Sequence, residues 1–143
     1  MNTDSRKLHL TIKNIFKKHK LSSKHAKICA DALINAELVG APSHGLSRLK
    51  MYCDRINKKV INPKPKIKIK RISQSITQID GNNSIGFVAA DIGIKKAISN
   101  AKKTGIGFVG IKNSGHYGLS GYYAEQAVKK NLITRFIQMR LQQ

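Results

Sequence analysis

The run Ile106-Gly107-Phe108-Val109-Gly110-Ile111 is too short for a helix and carries no polar alternation, the pattern of a strand buried in a sheet. It is followed by Asn113-Ser114-Gly115-His116-Tyr117-Gly118, a polar loop flanked by glycine, and then by Tyr122, Ala124, Ala127 and Val128 near helical spacing. A strand that ends in a small-residue loop and restarts as a helix belongs to a layered α/β fold. It also delivers His116 at the strand's end, where a group titrating near neutral pH can meet a ligand. The same loop equally suits plain capping, with Asn113 and Ser114 starting the helix and His116 merely exposed.

Upstream, the chain opens helical. Leu8, Ile12, Ile15 and Phe16 share one face of a helix over roughly 5–19, and a second begins at Ser22 or Ser23. That second helix buries Ala26, Cys29, Ala30, Leu33 and Ala36 and stops near Gly40. Ser43-His44-Gly45-Leu46-Ser47-Arg48 opens a third helix, with Leu46, Leu49, Cys53 and Ile56 facing inward. The prolines of Ile61-Asn62-Pro63-Lys64-Pro65 hold an extended linker. From Lys66 the chain alternates, so Ile67, Ile69 and Ile72 point inside while Lys66, Lys68 and Lys70 form a solvated face. Ile76-Thr77-Gln78-Ile79 makes a second strand, turned by Asp80-Gly81-Asn82-Asn83. A helix over roughly 87–103 follows, closed by Gly105. The expected strands are 66–72, 76–79 and 106–111, with helices near 87–104 and 119–130 and a free sheet edge.

Within the third helix, His44 and Arg48 stand at i and i+4 on its first turns, on one face. An arginine fork can grip a carboxylate while the imidazole handles a proton beside it, in the favourable field of a helix N-terminus. A capping turn, with Ser43 as N-cap, an exposed histidine and a surface arginine, remains the alternative. His9 and His19 fall among lysines on a helix surface, and His25 with Cys29 supplies at most half a metal site, so no metal is expected. The string from Gly105 to Gly110 fits GxGxxG, but its glycines follow a helix and occupy the strand, where no amides face a pyrophosphate.

The stretch Ala30-Asp31-Ala32-Leu33 through Gly40-Ala41-Pro42-Ser43-His44-Gly45-Leu46-Ser47-Arg48-Leu49 resembles the N-terminal signature of the malate/L-lactate dehydrogenase family. This is the non-Rossmann, NAD(P)-dependent family that includes ureidoglycolate, sulfolactate and diketogulonate enzymes. Asp80-Gly81-Asn82-Asn83-Ser84-Ile85-Gly86 is similar to its glycine–asparagine turn, and Asn113 to Gly118 to its second histidine motif. The resemblance implies an α/β fold of the L-sulfolactate dehydrogenase-like type, with N-terminal helices, alternating strands and helices, and an incomplete layered sheet. It implies catalytic His44 and His116, substrate-binding Arg48 and Ser43, NAD or NADP as cofactor, and a small 2-hydroxy or 2-oxo acid as substrate. Full-length relatives are expected to be homodimers. Residues 1–133 are expected to form the N-terminal part of such a domain. Residues 134–143 depart from the family pattern and are expected to be an aberrant or truncated tail, leaving the chain inactive alone.

Charge keeps a rival open. The 143 residues carry 27 Lys plus Arg against 7 Asp plus Glu, a formal +20, the balance of a basic nucleic-acid-binding module. Yet the excess is lysine scattered along the chain, as A/T-rich coding would produce at solvent-facing positions, and no nucleic acid is expected. A folded dimerisation fragment without catalysis is a third class. With no apolar run of about 18 residues and no apolar leader, neither membrane nor export is expected, and the chain should be cytoplasmic.

Overall fold

The computed structural model describes residues 4–138. The first two helices form because their apolar stripes match the helical period. Helix α1 (Ser5–Lys18) turns Ile12 and Phe16 inward, and α2 (Ser23–Leu38) turns in Ala26, Cys29, Ala30, Ala32, Leu33 and Ala36. Ser22 is the N-cap of α2, its hydroxyl accepting from the His25 amide at 3.2 Å. After two 3₁₀ turns comes α3 (Leu49–Asn57), which buries Tyr52 and Ile56. These helices share one core with Ile61, Ile85, Phe87 and Val88. Cys29 lies at its centre, fully buried.

A three-stranded sheet follows, in the order β1–β2–β3. Strand β1 (Lys68–Arg71) runs antiparallel to β2 (Ile76–Ser84), and β2 runs parallel to β3 (Phe108–Ser114). Helix α4 (Gly86–Thr104) makes the crossover between the parallel strands, as parallel pairing requires. It ends at Gly105, whose φ of +82° is the left-handed cap glycine accepts without cost. Helix α5 (Ser120–Val128) buries Tyr123 and Ala127, which pack with Ile94.

Four expectations need correcting. The Asp80–Asn83 segment is not a hairpin turn: β2 continues through an irregularity between Asp80 and Ser84, where Asn82 and Asn83 take positive φ. Asp80 holds this bulge, its Oδ1 accepting from the Asn82 amide at 3.0 Å and the Asn113 side chain at 3.1 Å. Strand β3 begins at Phe108 and takes in Asn113 and Ser114, so those two residues pair in the sheet instead of capping α5. Nor is β3 buried: it is an edge, with Phe108 59% and Ile111 40% exposed. Finally, Ile69 and Ile72 are 47% and 53% exposed, because no described residues cover the apolar side of β1. Among the described residues β1 and β3 are the two edges of the sheet.

Residues 133–138 run without regular structure, with the Phe136 ring against Tyr117 and Tyr123. The remainder of the expected aberrant tail, 139–143, lies outside the described residues, as do 1–3.

Candidate active site

Between α2 and α3 the backbone is pinned by side chains. Pro42 starts one 3₁₀ turn, Pro42–His44, and a second, Leu46–Arg48, follows Gly45. The Glu37 carboxylate, at the end of α2, accepts from the Leu46 amide at 2.6 Å, and a Cβ on Gly45 would run into that same carboxylate. Ser47 donates its hydroxyl to the Pro42 carbonyl at 2.6 Å, and Arg48 donates Nε to the Ser43 carbonyl at 2.7 Å. His44 and Arg48 are therefore not on the first turns of one α-helix, as their spacing suggested. Gly45 breaks the helix between them, and α3 begins only at Leu49. Ser43 does not cap a helix either. Its hydroxyl lies 3.0 Å from His44 Nδ1, and Glu37 does the capping.

The second histidine is placed by the parallel strands. Where β2 and β3 end side by side, the Gly115 amide donates to the Ser84 carbonyl at 3.2 Å. Gly86, the first residue of α4, packs so closely under the Gly115 and His116 carbonyls that a Cβ there would collide with both. This sets His116 at the carboxyl ends of parallel strands, the place where open α/β sheets present ligand-binding residues. Gly118, with φ +78°, then turns the chain toward α5, and a Cβ on it would press into the Phe87 ring.

The two histidine motifs meet. The rings of His44 and His116 are stacked, centroids 5.9 Å apart and planes inclined by 26°. Tyr52, on α3, places its hydroxyl 2.8 Å from His116 Nδ1. Burial on one side of the His116 ring, then electrostatic repulsion from His44, Arg48 and Arg55, hold its pKa below the usual histidine value. Burial also raises the pKa of Tyr52, so its phenol stays protonated. Arg48 makes no salt bridge among the described residues, which leaves the rest of its guanidinium for a ligand. An anion seated there would have a cationic fork and two imidazoles within reach, the donor set a hydroxy acid needs.

Other sequence candidates lie elsewhere. His9 and His19 are not idle surface residues: His9 Nε2 lies 2.7 Å from Asp31 and His19 Nδ1 lies 3.0 Å from Asn57, each bond linking two helices. Among the described residues no three metal-ligating side chains cluster. The glycines of 105–110 cap α4, pack on the Ala97 carbonyl and sit in β3, so this stretch gives no seat for a pyrophosphate. Sequence reasoning missed Tyr52 and Glu37. The available signal for Tyr52 was its place four residues beyond Arg48, since a tyrosine turned into a core needs a partner for its hydroxyl.

A sequence profile described as malate/L-lactate dehydrogenase matches residues 3–139. A malate/(S)-sulfolactate dehydrogenase of Methanothermus fervidus is 42% identical over 79% of this chain and 33% of its own length. A ureidoglycolate dehydrogenase (NAD(+)) of Escherichia coli O157:H7 is 33% identical over 88% of this chain and 36% of its own. Among solved structures, the sulfolactate dehydrogenase of Methanocaldococcus jannaschii superposes with a TM-score of 0.88 at 35% identity, over 92% of this chain and 38% of that one. The chain thus spans about a third of the length of the curated relatives it matches. With the profile matched over nearly all of its residues, the chain belongs to the malate/L-lactate dehydrogenase family.

Proposed function

We propose that this site serves the NAD(P)-dependent interconversion of a small 2-hydroxy acid and its 2-oxo acid. The observation that carries the proposal is the stacked pair His44–His116 beside the Arg48 guanidinium. Arg48 would grip the substrate carboxylate, with Ser43 holding His44 in place, while the two imidazoles face the reacting hydroxyl, where proton transfer takes place. Fixing the acid between these groups turns an encounter into an oriented reaction. The residues present fit the acid, whereas the 105–110 glycines do not fit the cofactor's phosphates. A bound nicotinamide would supply the hydride chemistry. The name of the E. coli relative favours NAD over NADP.

A homodimer, a cytoplasmic location and no nucleic-acid or membrane partner complete the proposal. Supporting it, the lysines sit on separate elements, such as Lys17 and Lys18 at the end of α1, Lys68 and Lys70 on β1, and Lys102 and Lys103 at the end of α4. No helix among the described residues is long and apolar enough to cross a membrane.

Calorimetric titration of the chain with L-malate and with succinate, which lacks the hydroxyl, tests the proposal. Malate should bind more tightly than succinate, and Arg48→Lys should weaken both. Equal binding of the two acids, or none, would count against it. Tight, steeply salt-dependent binding to a DNA duplex would favour the nucleic-acid alternative.

A further inference from the structure

The His116 ring is held from behind, at one nitrogen. The Tyr52 hydroxyl lies 2.8 Å from Nδ1, and the backbone N–H of Gly118 points at the same atom from 3.2 Å. A backbone N–H can only donate. Nδ1 must therefore offer a lone pair, since a proton there would set two donors facing each other. A phenol can donate or accept, and here it meets an acceptor, so Tyr52 donates. Neither donor is free to turn away. Tyr52 is fully buried with its ring packed on Phe87 at 4.9 Å between centroids, and Gly118 is fixed by its left-handed backbone against that same Phe87 ring.

We infer that Tyr52 and the Gly118 amide lock neutral His116 in the tautomer that carries its proton on Nε2. Tyr52 is then a positioning residue. His116, exposed on its other side, gives a hydrogen bond to an oxygen of the bound acid and does not take its proton. Proton acceptance falls to His44. The partner of His44 Nδ1 is the Ser43 hydroxyl at 3.0 Å, which can accept as well as donate, so Nε2 of His44 can hold a lone pair for the substrate. The inference explains why two histidines are stacked in one site: one is held as a donor, and the other keeps a choice of tautomer. A second proton would have to enter at Nδ1 against the Gly118 amide, so the same geometry that sets the tautomer opposes the charged ring.

The identity of the oxygen rests on the proposed function, but the tautomer belongs to the chain alone. It is read from long-range ¹H–¹⁵N correlation spectra of the ligand-free, ¹⁵N-histidine-labelled chain, at a pH well above the histidine range. His116→Gln assigns the signals. The expected spectrum has Nε2 of His116 protonated and Nδ1 bare, and Tyr52→Phe should move the ring toward a mixture of tautomers. A proton on Nδ1 in the unaltered chain would overturn the inference, and an unchanged spectrum in Tyr52→Phe would remove Tyr52 from it. Should Tyr52→Phe fail to fold, the spectrum of the unaltered chain still decides the tautomer. Because no acid is present, failure of malate binding would bear on the proposed function and leave this result standing.

Discussion

The rings of His44 and His116 lie nearly parallel, with centroids 5.9 Å apart, although one follows the second helix and the other the last strand. Each is carried by backbone that a neighbouring helix braces. His44 sits on a turn capped by Glu37 of α2, and His116 on a loop pressed against the first residue of α4. Two loops that each look like routine punctuation are brought together only when helices and sheet are packed together.

Arg48 should not tolerate lysine. The change removes the Nε bond to the Ser43 carbonyl and the fork that meets a carboxylate at two points. Hydrogen bonds to charged groups contribute about 1.5–3 kcal/mol, so malate affinity in Arg48→Lys should fall roughly tenfold or more. Calorimetry on the folded variant checks this, and unchanged affinity would place the carboxylate elsewhere.

The His116 titration should run low. Burial is the largest cause, and His44, Arg48 and Arg55 add to it, so the midpoint should lie below the usual value of about 6.5. The unfolded ring takes up a proton more readily than the folded one. The stability this group contributes is therefore present above about pH 6.5 and lost as pH falls through its lowered folded value. Ring proton shifts followed against pH measure it. His44→Gln should raise the midpoint by less than the whole shift, because burial remains.

Gly86→Ala should damage the fold and the site together. Its added methyl would meet the Gly115 and His116 carbonyls, which are backbone and cannot swing aside. Overpacking of this kind costs about 1–3 kcal/mol, seen as a fall of several degrees in Tm, and the His44 and His116 signals should shift even where the variant folds. An Ala at half-buried Gly110, where a Cβ meets nothing within 4 Å, is the matched control and should change stability far less.

Much of this was legible because local chemistry and fold agree. The stripes of α1 and α2, the Ser22 cap and the Gly105 terminus all follow from period and capping, and each forms where its residues call for it. The bend at Gly45 was not legible, because Ser43 to Arg48 has good helical chemistry and the competing cap comes from Glu37, nine residues before Leu46. The exposure of Ile69 and Phe108 could not be read either. Their apolar character reports a covering layer, whereas the described residues supply none on those sides. Tyr52 was hidden for a related reason: its partner His116 lies 64 residues away, and only the packing of α3 against the α4 region joins them.

Turnover should be absent from this chain by itself. The glycine-rich stretch of the described residues gives no seat for a pyrophosphate, so malate or lactate with NAD or NADP should give no absorbance change from reduced nicotinamide. Robust turnover would show that the cofactor is held by residues assigned here to other roles.

The shared carboxylate site is tested most directly by following the ring signals of all five histidines while L-malate is added to the labelled chain. His44 and His116 should shift together along one saturating curve, His9 and His19 should stay still on their helix-linking bonds, and Arg48→Lys should move the curve to higher concentration. Movement of only one of the two stacked rings, or separate curves for His44 and His116, would contradict a single site built from both.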